Sequence, residues 1–233
     1  MSSLPTVLVP GLICTPRLYA AQIPALWAFG PVTVADHRRD DGVDAIAARI
    51  LADAPERFAL TGLSMGGYIA MAILRAAPQR VAKLMLLDTG PRADTAAQSD
   101  NRRRQIAIAQ GGRFGEIAGL LWPLFVHKNR HGDAALKEIV VTMAAETGPD
   151  AFVRQQTAIM TRPDARGALA AITCPTIILV GAEDELTPPA LAHEMHALIP
   201  ESRLTTIADC GHLSTLEQPE AVNRALVDFL RSP

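Results

Sequence analysis

The 233-residue chain has few cysteines, almost no net charge and no long apolar run. Cys14, Cys174 and Cys210 stand far apart with no C-x-x-C pair, so no disulfide framework is encoded and reduced thiols are expected. A net charge of −2 leaves no basic surface for nucleic acid or acidic lipid. Arg102-Arg103-Arg104 is the only tight basic run and reads as a solvated helix face. No stretch approaches the length of a membrane span, and Met1-Ser2-Ser3-Leu4-Pro5 lacks the basic start of a signal peptide. A soluble, cytoplasmic protein is the expectation. Glycine-rich phosphate loops of Walker or dinucleotide type are missing, and His193 and His196 are three apart where the zinc-protease motif needs four. No cofactor and no metal are expected.

What is there is apolar and alternating. Hydrophobic residues make up 49% of the chain and charged ones 20%, enough for one sizeable core. Thr6–Val9, Pro31–Ala35, Phe58–Leu63 and Val81–Leu87 read as strands, with helical patterns over 16–29, 43–54 and the residues after Ser64. The strands are nearly continuous apolar runs, which predicts burial on both faces in a parallel sheet between helix layers. From 92 to 166 the alternation stops, and four helical patterns follow one another: 95–110, 113–126, 133–146 and 150–161. Strand and helix then return at 176–181, 189–198, 203–207 and 218–230. The expected fold is therefore α/β and doubly wound, with a mostly parallel sheet. Residues 1–91 and 167–233 form its core, and a helical cap over 92–166 is inserted.

The chemistry gathers at Gly62-Leu63-Ser64-Met65-Gly66-Gly67, which lies between a predicted strand and a predicted helix. Strand, sharp turn and helix with a hydroxyl at the apex is the context in which G-x-S-x-G becomes a nucleophile signal. A serine hydroxyl needs a base to take its proton, and the base needs an acid to orient it. Two later strands end in such groups. Glu183-Asp184-Glu185 follows one, and Gly211-His212 follows the last. Asp88, after the strand at 81–87, is a rival acid, and Glu183 and Glu185 flank Asp184 as further ones.

The chain resembles the α/β-hydrolase superfamily over nearly its whole length. The nucleophile motif matches at Gly62, Ser64 and Gly66, the G-x-x-D-x-x-x-P acid loop at Gly181, Asp184 and Pro188, and the G-H motif at Gly211 and His212. The resemblance implies Ser64 as nucleophile, His212 as base and Asp184 as the acid that orients it. It also implies an oxyanion hole built from the backbone N–H groups of Met65 and Leu12. Pro10 stands where many relatives have histidine before the glycine, and Leu63 stands where many have histidine before the serine. Gly-Leu-Ser-Met-Gly-Gly is similar to the elbow of enol-lactone hydrolases and small bacterial esterases. The first strand comes at once, so the family's leading hairpin is expected to be missing and the sheet to have about six strands.

By this resemblance the expected function is hydrolysis of a small carboxylic ester, lactone or related acyl bond through an acyl-enzyme. A small acyl substrate is the only partner expected, with no nucleic acid and no membrane. Carbon–carbon bond hydrolysis, thioester hydrolysis and slow turnover by a ligand receptor are the alternatives on the same fold. Phe114, Ile117, Leu120, Leu121, Trp122, Leu124 and Phe125 could line an apolar cover over the serine or simply anchor the cap. Arg154 and Arg162 could meet a substrate carboxylate, although no pattern in the sequence turns them inward.

Overall fold

The computed structural model describes residues 3–232. Six strands form one sheet: β1 (Thr6–Val9), β2 (Val32–Val34), β3 (Phe58–Leu63), β4 (Val81–Leu87), β5 (Thr176–Gly181) and β6 (Arg203–Ile207). Every pairing is parallel, and the order across the sheet is β2-β1-β3-β4-β5-β6. The apolar runs explain the placement. β1, β3 and β5 are buried at every position and β4 at all but one, while β2 and β6, with polar residues between apolar ones, are the half-exposed edges. Each buried Val, Leu or Ile of the central strands contributes about 1.5–3 kcal/mol relative to exposure.

Helices follow the strands: α1 (Gln22–Leu26), α2 (Val43–Asp53), α3 (Met65–Ala76), then α4 (Ala96–Ile108), α5 (Ile117–Phe125), α6 (Ala134–Thr147), α7 (Pro149–Thr161) and α8 (Arg166–Leu169) between β4 and β5. α9 (Pro189–Leu198), α10 (Ser214–Glu217) and α11 (Pro219–Arg231) complete the chain. The expected helix over 16–29 is broken into a 3₁₀ turn at Pro16–Tyr19 and the short α1. Pro24 explains the break, because its ring excludes the carbonyl four residues earlier and it donates no hydrogen bond. The helix expected over 113–126 is shorter, since Phe114–Glu116 is a 3₁₀ turn before α5. No helix among the described residues is long and apolar enough to cross a membrane.

The strand order places the site. The chain steps from β1 outward to β2 and then back across β1 to β3, so successive connections diverge at the carboxyl ends of β1 and β3. Ligands of open α/β sheets bind at such a switch point. Register puts Val9 beside Gly62, which brings the loop after β1 against the turn after β3. Two glycines permit that approach. A Cβ on Gly66 would lie 2.0 Å from the carbonyl oxygen of Val9, and one on Gly62 would lie 2.2 Å from that of Gly66. On the other side of the sheet Gly181 pairs with Ile207, so the loops after β5 and β6 are also neighbours.

Gly66→Ala should therefore lower stability in urea denaturation by about 3 kcal/mol or more, because backbone must move to admit the methyl group. Gly119→Ala, in α5 with nothing within 4 Å of the new carbon, should be neutral or gain up to about 1 kcal/mol. Equal losses at the two positions would contradict this account of the turn.

Candidate active site

Ser64 occupies the turn between β3 and α3 with φ 56° and ψ −116°. Such a backbone costs a non-glycine residue about 1–3 kcal/mol and persists only when neighbours hold it. Here the Ser64 N–H donates to the Leu87 carbonyl at 3.0 Å, and the Ser64 carbonyl accepts from the Gly67 N–H at 2.9 Å and from Thr89 Oγ1 at 2.8 Å.

The acid loop after β5 is wound around one carboxylate. Asp184 Oδ1 accepts the N–H groups of Leu186 and Thr187, each at 2.9 Å, and Oδ2 accepts Thr187 Oγ1 at 2.7 Å. His212 Nδ1 lies 2.8 Å from the same Oδ2. Both side chains are essentially excluded from water. Burial alone would raise the Asp184 carboxyl, but the His212 charge and the hydrogen bonds from His212 and Thr187 outweigh it and hold the group below its ordinary value. Burial alone would likewise lower His212. The charge of Asp184, then its hydrogen bond, are the largest causes that leave it raised. Phe125 of α5 stacks on the imidazole with ring centroids 5.9 Å apart.

Of the rival acids, Asp88 is fully buried after β4 but does not bond to His212. Its Oδ1 accepts the Gly181 N–H at 3.0 Å, and its Oδ2 pairs with the hydroxyl of Ser214. It thus ties the start of the acid loop to the first residue of α10. Burial first, then the charge of Asp184, push its carboxyl up to about 8. Glu183 Oε2 accepts the Cys210 N–H at 3.0 Å, and Glu185 is exposed.

The loop after β1 is fastened from three sides. Tyr19 donates its hydroxyl to the Val9 carbonyl at 2.9 Å, and Gln155 Oε1 of α7 accepts the Ile13 N–H at 3.1 Å. His37 Nε2 lies 2.9 Å from both Gly11 O and Gln155 Nε2, and burial drops its pKa to about 4. The N–H groups of Leu12 and Met65 have no acceptor among the turn and loop hydrogen bonds of the described residues. Tyr19, His37, Gln155 and Thr187 carried no signal in the sequence: the first three act through partners ten or more residues away, and Thr187 falls at an unspecified position of the acid loop. Glu217 is a fifth such residue: buried on α10, it accepts the N–H groups of His127 and Leu213 and fixes the chain beside His212.

Ser64, His212, Thr187, Gly11 and Leu12 all line one cavity of about 290 Å³. Leu121, Leu124, Phe125, Ile159, Leu186, Leu191 and Leu213 form an apolar wall. Leu120 of the same α5 is half exposed and lies outside the lining, and Trp122 is buried with its Nε1–H on the His131 carbonyl. Arg162 lines the cavity, whereas Arg154 points its Nε–H at the Arg38 carbonyl instead. The arginine run divides. Arg103 and Arg104 are exposed as expected, but Arg102 turns into the cavity, a correction that follows from the helical phase of α4. Cys14 also lines it, but burial pushes its thiol up to about 12, so it is no thiolate. No hydrogen bond joins Ser64 Oγ to His212 among the described residues; such contacts commonly close only when substrate binds.

The profile of the Alpha/beta hydrolase family matches residues 7–225. A Mycobacterium tuberculosis protein that carries the name of a non-heme bromoperoxidase is 29% identical over 185 residues, spanning 77% of this chain and 69% of its own. A thermophilic esterase from Thermogutta terrifontis, solved with malate bound, superposes with a TM-score of 0.89 at 30% identity, covering 98% of this chain and 90% of its own. The enol-lactonase of Burkholderia xenovorans shares the fold at a TM-score of 0.90 and 21% identity, covering 100% and 93% of the two chains. With one profile running through the serine turn, the acid loop and the histidine loop, the chain belongs to the Alpha/beta hydrolase family.

Proposed function

We propose that the protein is a serine hydrolase that cleaves a small carboxylic ester, lactone or related acyl bond through an acyl-enzyme. The observation that carries this reading is the buried Asp184–His212 pair opening onto the same cavity as a serine held in a strained turn. His212 Nε2 takes the proton of Ser64 as Oγ bonds to the substrate carbonyl carbon. The oxygen of the tetrahedral intermediate receives hydrogen bonds from the N–H groups of Leu12 and Met65, each worth about 3–4 kcal/mol at the transition state. Collapse breaks the bond to the leaving oxygen, which departs with the proton from His212. Water then repeats the sequence on the acyl-Ser64 ester: His212 takes its proton, the acid is released, and the proton returns to Ser64. Asp184 keeps Nδ1 of His212 protonated and stabilises the imidazolium that forms twice per cycle. The insertion over 92–166 acts as a cap, its apolar wall excluding water from the oxyanion.

Mixed with p-nitrophenyl acetate, the protein should give a burst of p-nitrophenolate followed by steady release, and Ser64→Ala should abolish both. A burst without steady release would mean a receptor that is acylated once. Asp184→Asn should lower kcat by about four orders of magnitude, because the wrong tautomer of His212 then faces the serine. Asp88→Asn should cost far less; the reverse ranking would make Asp88 the acid. The acid limb of kcat/KM should lie above the ordinary histidine value of 6.5 and move down in Asp184→Asn, which removes the charge that raises His212.

Asp88 also predicts a pH dependence of stability. Its carboxyl titrates at 3.8 when unperturbed and at about 8 in the fold. Between those values the unfolded chain sheds a proton that the native chain retains, so the native state loses stability as pH rises. Asp88→Asn cannot ionise, so its stability relative to wild type should improve from about pH 5 to about pH 8 in urea denaturation. Parallel stability curves would show that Asp88 is ionised in the native protein.

A further inference from the structure

One wall of the serine cavity is built unlike the rest. α4 buries no residue completely, yet Gln98, Asn101, Arg102 and Gln105 line the cavity. Those positions follow the i, i+3, i+4, i+7 spacing of a single helix face, exposed at Gln98 and Asn101 and half-buried at Arg102 and Gln105. The face is wired to its neighbours at its far end: Arg102 Nη1 donates to Gln156 Oε1 at 2.8 Å, and Gln156 Nε2 donates to Gln105 Oε1 at 2.6 Å.

The charges on this wall do not balance. Arg102 Nε donates to Asp94 Oδ2 at 2.7 Å, and Arg162 Nη1 donates to Asp94 Oδ1 at 2.6 Å, so two guanidinium groups share one carboxylate. The side chains of Arg102, Arg162 and Asp94 are 18%, 8% and 1% exposed. Arg92, also at the cavity, is matched by Glu194. Arg162 is nearly spent, bonded also to the carbonyls of Arg92 and Ile159 and lying over the Tyr68 ring. Arg102 is not: its Nη2 donates to no acceptor among the described residues. A cavity thus holds one surplus positive charge, poorly solvated, with unused donors on a planar fork. A carboxylate matches that fork in shape and charge.

We infer that Arg102 is a specificity-determining residue, and that the ester or lactone cleaved at Ser64 carries a second, free carboxylate, which this guanidinium reads while the apolar wall takes the carbon skeleton. This rests on the serine-hydrolase reading. It distinguishes α4 from a mere cover, because a neutral substrate leaves the surplus charge unanswered.

The test is the ratio of kcat/KM for a carboxylate-bearing ester to that for a neutral counterpart of similar size. One pair puts the charge on the acyl side: mono-p-nitrophenyl glutarate against p-nitrophenyl pentanoate. The other puts it on the leaving group: 3-acetoxybenzoate against 3-acetoxybenzamide. In wild type at least one ratio should exceed about ten, and in Arg102→Gln that ratio should fall about tenfold or more, with Arg102→Lys recovering part of it. Ratios near one for both pairs in wild type, or a fall of less than about threefold in Arg102→Gln, would overturn the inference while leaving the hydrolase reading intact. Glutarate titrated against Ser64→Ala in a thermal-shift assay separates the two further. Stabilisation that is lost in Ser64→Ala/Arg102→Gln supports the carboxylate site even if none of the esters turns over. Equal stabilisation of both variants, or of neither, counts against it.

Discussion

The fold depends on a backbone crossing at van der Waals distance. β1 and β3 run side by side, and the turn after β3 passes so close to the end of β1 that a single methyl group on Gly66 would meet the Val9 carbonyl. At that crossing Ser64 takes a positive φ, and a methyl group on Gly11 of the loop after β1 would lie 3.4 Å from its Cβ. The cost is local and is offset by hydrogen bonds to Leu87, Gly67 and Thr89. Relaxing the turn would shift Ser64 relative to Gly11 and Leu12, which line the same cavity. The position at the switch point is therefore a consequence of strand order, and the serine's place in the cavity is a consequence of the crossing.

Two buried carboxylates lie near the same imidazole, and their surroundings push them apart. Asp184 accepts from two backbone N–H groups, one hydroxyl and His212, and its carboxyl is lowered. Asp88 is bonded to one N–H and one hydroxyl with no positive partner in contact, and its carboxyl is raised to about 8. Near neutral pH this leaves one charge beside His212 rather than two. A second ionised group would over-stabilise the imidazolium and make the base reluctant to return its proton. Asp88 serves the proposed chemistry by staying neutral and by joining the acid loop to the histidine loop.

The sheet was legible because four of its strands are apolar on both faces, a pattern that only a covered parallel sheet explains, and the six strands match the expected number. Ser64, Asp184 and His212 were legible as candidates because each follows a strand and sits in a short motif with glycine or proline at fixed offsets. Their assigned roles still rest on chemistry and not on position alone. Arg102 was not legible. Three consecutive arginines spread over most of the helix circumference, so composition cannot say which one faces in; the phase of α4 against α7 decides it. Asp88 as a neutral strut was equally hidden, because its partners Gly181 and Ser214 are 93 and 126 residues away.

The helices between β4 and β5 do more than line the cavity. Gln155 of α7 is completely buried and accepts the Ile13 N–H, while its amide nitrogen contacts His37, which in turn contacts the Gly11 carbonyl. Ile13 has φ 52°, a conformation that a β-branched residue adopts only under constraint. The constraint comes from the insertion. Withdrawing α7 would free the Ile13 N–H and let the loop that carries Gly11 and Leu12 relax toward negative φ. In the proposed mechanism the oxyanion donor after β1 is thus only as well placed as the helix above it. Substrate contacts made by the insertion and stabilisation of the oxyanion are then coupled through one buried amide.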